Sequence, residues 1–181
     1  MDTQQLVDFL ETAGRLKTLL RTGWVDSGIA APESVADHSY RVTLLSMILA
    51  DEEGLDSLRA VRMALLHDLA EAVVGDLTPM QKEGKTDWQM EERDAFRRLI
   101  VAVPDRLAEP YLDAVEEYLA GASPEARLVH AADKLEMLLQ AREYEVAGYD
   151  SDRLMRFRHV SVEGELEKSI EFEIKSRMGK K

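Results

Sequence analysis

LRAVRMALLHDLAEAVVGD, residues 58–76, decides the fold class. Leu58, Val61, Leu65, Leu69 and Val73 recur at steps of three and four, the period of an amphipathic helix, and Gly75 is placed to stop it. Leu66, Ala70 and Val74 are apolar as well, so most of the circumference is read as buried. Into this background fall His67, Asp68 and Glu71, whose spacing puts them on one side of a continuous helix. A solvent-facing helix would carry Lys, Arg and Glu there, and a purely structural one Leu or Ala. Buried charge is costly unless it is paired or bound to a metal, so the stripe is expected to face inward or into a cleft.

The same period runs through the rest of the chain. Leu6, Phe9, Leu10, Ala13 and Leu16 predict a first helix over about residues 3–20. Ser34 followed by Asp37 is a capping-box pattern that opens a second helix with Val35, Val42, Leu45 and Leu49 on its buried face, closed by Gly54. Beyond the opening stretch, Thr86 with Gln89 is expected to cap a helix containing Trp88, Phe96, Leu99 and Ile100, and Pro104 and Pro110 to bracket short helical pieces. Ser123 before Pro124 starts a long helix reaching Gly148, and a charged helix covers roughly 163–178. No segment alternates with period two for long enough to be a strand. The expectation is an all-α fold in a single domain, residues 1–181, whose least regular stretch is GDLTPMQKEGKTD at 75–87. A loop in that position would cover a site at the helix end.

Composition narrows the function classes. With no cysteine, disulfides and thiolate metal sites are excluded, and any metal must be held by nitrogen and oxygen. A net charge of −12, from 35 acidic against 23 basic residues, argues against long nucleic acid as a partner. Small anions remain compatible, because a local cation outweighs distant charge screened over about 8 Å. MDTQQLVDFLETAG lacks the basic flank and apolar core of a signal peptide, and no apolar run approaches the ~20 residues of a membrane span. A soluble, cytoplasmic protein with no membrane partner is expected.

Two further ionisable residues interrupt apolar patterns. His38 lies in VADHSYRV, and Asp133 in VHAADKLEML on the long helix. Singly, each reads as a buried polar group satisfied by a hydrogen bond. Together, His38, His67, Asp68 and Asp133 form a borderline-hard set of two imidazoles and two carboxylates. Such a set suits one divalent transition metal, manganese or cobalt first, with iron, nickel or zinc as alternatives. His130 reads as a partner of that group or a structural residue, and His159 as a surface residue.

RTGW at 21–24, PESVADHSYRV at 32–42, ALLHDLAEAVVGDLTP at 64–79 and HAADKLEMLLQAREYE at 130–145 together resemble the HD-domain metal-dependent phosphohydrolases. The combination is most similar to the branch acting as 5'-deoxynucleotidases. The resemblance implies an HD-type helical bundle with His38, His67, Asp68 and Asp133 as metal ligands and a deoxyribonucleoside monophosphate as substrate. It also implies Arg21 on the phosphate, Glu71 as the proton-transfer group, Asp76 on substrate or water, Trp24 as an apolar plate beside the sugar, and a homodimer. The alternatives are another HD-type nucleotide phosphodiesterase and a non-catalytic protein that binds metal and nucleotide. Leu166, Ile170 and Ile174 line one face of the last helix, suited to the chain's own core or to a second subunit.

Overall fold

A computed structural model describes residues 2–179. Its helices are α1 (Thr3–Gly14), α2 (Thr22–Asp26), α3 (Val35–Glu53), α4 (Ser57–Leu66), α5 (Glu71–Val74), α6 (Pro79–Glu83), α7 (Trp88–Ile100), α8 (Asp105–Ala120), α9 (Pro124–Val146), α10 (Ser151–Leu154) and α11 (Glu165–Arg177). No strand occurs among the described residues; a single bridge joins Leu20 to Ser34. The all-α expectation holds.

α9 is the spine. Ser123 accepts a hydrogen bond from the Ala126 amide, Pro124 occupies the first helical position, and Leu128, Val129, Ala132, Leu135 and Leu138 are buried along the helix. α3 and α4 pack on one another and on α9, and α11 covers another flank of α9. The capping box expected at α3 is formed: the Asp37 amide donates to Ser34 Oγ at 3.1 Å and the Ser34 amide to Asp37 Oδ2 at 2.9 Å. Ile174 is buried and Leu166 and Ile170 pack on the core, so that face of α11 docks within the chain.

Three expectations are corrected. The helix read through residues 58–74 ends at Leu66; residues 67–70 form turns before α5 begins at Glu71. The His67 side chain is the cause: Nδ1 lies 2.7 Å from the Ala64 carbonyl oxygen, the acceptor that the Asp68 amide would use in an unbroken helix. The chain tightens into three-residue turns, with the amides of Leu69, Glu71, Ala72 and Val73 bonded to the carbonyls of Leu66, Asp68, Leu69 and Ala70. His67, Asp68 and Glu71 therefore do not share a stripe on one helix.

Thr86 and Gln89 do not cap α7, which starts after Asp87 without a side-chain bond. The capping box in this region is Thr78 with Gln81, and it opens the short helix α6 inside the expected loop. Pro110 does not divide α8. It is exposed, so the carbonyl that its missing N–H leaves free can be solvated.

Candidate metal centre and active site

The break after α4 lets neighbours in sequence converge. His67 and Asp68 would diverge by about 100° on a continuous helix; here His67 Nε2 lies 3.1 Å from Asp68 Oδ2. From α3, His38 Nε2 lies 3.1 Å from Asp133 Oδ1 of α9 and 3.7 Å from Asp68 Oδ2. The two imidazole rings are 5.6 Å apart. One donor atom from each of His38, His67 and Asp133 falls within 4.8 Å of the others.

Both imidazoles are oriented from behind. His38 Nδ1 donates to Glu136 Oε2 at 2.5 Å, and His67 Nδ1 to the Ala64 carbonyl at 2.7 Å. This leaves the two Nε2 atoms facing the acids, buried and without a hydrogen-bond partner of good geometry among the described residues. Lone pairs of two nitrogens and two carboxylates aimed at one small volume repel one another unless a cation lies between them. The donor set and the two orphaned nitrogens thus fit a divalent ion with nitrogen and oxygen ligands.

In the absence of an ion, a proton takes that part. Burial and Arg21 oppose the charge on His38, but Asp133 and Glu136 outweigh them and hold its pKa up at about 10. His67 is raised as well, Asp68 overcoming burial. Burial would raise Asp133, yet His38, His67 and Arg21 bring it down to about 2. Asp68 is held far below the usual carboxylate range against burial, first by His67 and then by Arg21 and His38. Glu71 goes the other way: burial first, then the charges of Asp68 and Asp76, push it up to about 10. It is 4% exposed, and its Oε2 has no hydrogen-bond partner among the described residues.

Arg21 precedes α2 and points its guanidinium at the same acids, 3.2 Å from Asp68 Oδ2 and 3.6 Å from Asp76 Oδ1. Asp76, beyond Gly75, fastens this segment: its Oδ2 accepts from the Thr22 amide at 2.5 Å, and its carbonyl from Thr22 Oγ1 at 2.8 Å. Gly75 makes the corner at φ 84°, a conformation that a Cβ disfavours. His38, His67, Asp68, Glu71, Asp76, Asp133 and Arg21 are brought together.

Trp24 is not among them. It is 2% exposed, its indole packs on Tyr144 and Phe157, and Nε1 donates to Glu33 Oε1 at 2.8 Å. His130 is likewise engaged elsewhere, Nε2 bonding the Tyr118 carbonyl at 2.8 Å with its ring stacked on Tyr118. His159 is exposed.

Sequence reasoning missed Glu136. It is fully buried and bonded to His38, and two nitrogens of Arg41 donate to its other oxygen at 2.8 and 3.0 Å. Its signal was present: an acid three residues after Asp133 on a helix lies on the same side. Tyr118 was missed too, and its ring packs edge-on to His67 at 5.5 Å.

The HD domain family matches residues 13–171. The human 5'-deoxynucleotidase HDDC2 is 38% identical over 154 residues, 85% of this chain and 75% of that protein. Among solved structures, a conserved hypothetical protein from Pyrococcus furiosus superposes with a TM-score of 0.72 at 34% identity, covering 94% of this chain and 98% of its own. A predicted metal-dependent phosphohydrolase from Magnetospirillum magnetotacticum MS-1 gives 0.70 at 26% identity, with 96% and 93% covered. With its paired histidines and acids gathered from three separate parts of the chain, this protein belongs to the HD-domain family.

Proposed function

We propose that the protein is a metal-dependent 5'-deoxynucleotidase, which hydrolyses a deoxyribonucleoside 5'-monophosphate to the deoxynucleoside and inorganic phosphate. The observation that carries this reading is the pair of buried Nε2 atoms facing Asp68 and Asp133, with an arginine and the buried Glu71 carboxyl beside them. Relatives over most of the chain are named 5'-deoxynucleotidases. His38, His67, Asp68 and Asp133 would hold one divalent ion, manganese or cobalt in preference to iron, nickel or zinc. Such an ion supplies Lewis acidity toward a phosphoryl oxygen and toward water.

The chain's own residues do the rest. Arg21, turned from Asp68 and Asp76, offers two parallel N–H donors to phosphoryl oxygens. Glu71 carries a proton in a buried setting and gives it to the departing 5' oxygen as the P–O bond breaks, regaining one from the water consumed. Asp76 acts as a positioning residue: its bonds to Thr22 hold Arg21 at the site. Trp24 supports Glu33 from the core rather than meeting the sugar. A homodimer is part of the reading, and the exposed apolar residues Tyr40, Leu44, Met47 and Ile48 along one face of α3 support it. No helix among the described residues is long and apolar enough to cross a membrane.

Phosphate release from a panel of deoxy- and ribonucleoside monophosphates, with manganese or cobalt loaded, tests the activity. Preference for the deoxy substrates is expected. Inertness toward both with metal bound overturns the reading, and light scattering checks the dimer.

A further inference from the structure

A phosphate monoester is a dianion, and Arg21 already stands between two carboxylates. A second cation lies on the segment that follows Asp76. Lys82 lies on α6, the short helix opened by the Thr78 and Gln81 capping box. Its Nζ is 3.0 Å from Glu92 Oε1 and 4.5 Å from the centre of the Trp88 ring, both on α7. α7 packs against α5, which begins at Glu71. Burial alone would lower the ammonium's pKa, but Glu92, and beyond it Glu71 and Asp68, raise it. Through Glu92 and α7, Lys82 is tied to the α5 side of the site. The side chain keeps 25% of its surface exposed, and the segment carrying it is fastened at one end through Asp76 to Thr22.

We propose that Lys82 is a second phosphate-binding cation, held ready by Glu92 and Trp88 and exchanging Glu92 for a phosphoryl oxygen when substrate enters. The exchange is inexpensive, because a partly exposed Lys–Glu pair adds little net stability. A flexible four-carbon stem with a compact charge suits a group that must move between partners. The inference rests on the phosphomonoesterase reading above and adds a residue to its phosphate site.

The test compares Lys82→Met and Lys82→Arg with the wild type, all metal-loaded, by KM for deoxyadenosine monophosphate and by inhibition with inorganic phosphate and with deoxyadenosine. Lys82→Met is expected to raise KM and the phosphate inhibition constant by about tenfold or more, the scale of one charged hydrogen bond. Inhibition by deoxyadenosine, which has no phosphate, stays within twofold, and Lys82→Arg restores most of the loss. Wild-type values in Lys82→Met overturn the proposal. So does a parallel loss of phosphate and deoxyadenosine binding, which would mean that the residue only shapes the pocket. A wild type that binds phosphate but hydrolyses no nucleotide defeats the activity reading instead, and direct calorimetry of phosphate binding to the variants still decides the role of Lys82.

Discussion

Replacing Glu71 with glutamine keeps the shape of the side chain and removes its titration. In the metal-free protein the Glu71 carboxyl is held at about 10 against 4.5 in an open chain. The unfolded chain gives up this proton as pH rises past 4.5, whereas the folded protein keeps it until about 10, so the residue's contribution to stability is full below 4.5 and is lost progressively between those values. At 1.36 kcal/mol per unit, the difference amounts to roughly 3 kcal/mol at pH 7, or some 6–12 °C in melting temperature for a chain of this size. Glu71→Gln has no proton to lose. Its metal-free melting temperature is expected to match the wild type near pH 4.5 and to exceed it by a widening margin toward pH 8. Loading the metal should narrow the margin, since a nearby dication favours the carboxylate. Turnover with metal bound should fall by about 10² to 10⁴-fold, the range of a lost proton-transfer group. Scanning calorimetry across pH and phosphate-release kinetics on the same preparations read the two effects. A pH-independent margin would refute the buried proton, and wild-type turnover would refute its use.

Two other outcomes follow from the ligand geometry. Glu136→Gln withdraws the charge that orients His38 and leaves Arg41 with Glu143 as its charged partner, and should weaken metal affinity by about 10- to 100-fold in competition with a chelator. His38 is held protonated up to about 10 without metal, so an ion that binds its Nε2 at pH 7 must displace a proton. Affinity should therefore rise with pH, and calorimetry in buffers of different ionisation enthalpy should find at least one proton released; none released would contradict the histidine's place in the set.

Local signals with a single physical cause were readable from the chain. Ser34 with Asp37 and Ser123 with Pro124 opened their helices as expected, because capping depends only on residues within one turn. His38, His67, Asp68 and Asp133 were legible as candidates, as polar intrusions into apolar faces, but their meeting at one place was not. The break after Leu66 was not, because Leu65, Leu69 and Val73 keep helical spacing across it while a side chain takes over one backbone carbonyl. Pro110 misled for the opposite reason: its cost inside a helix depends on whether the freed carbonyl meets water, which is a property of the packed molecule. Trp24 was assigned to the sugar by analogy, and its burial against Tyr144 and Phe157 depends on contacts across more than a hundred residues of chain.

α9 turns one flank to the apolar core and presents Asp133 and Glu136 from another. Its register is thereby pinned twice over. Inserting or deleting one residue ahead of position 133 would swing both acids through about 100° while pulling Leu135 and Leu138 out of the interior. A change of chain length is consequently expected to be accommodated in the connectors before and after that helix and not within it.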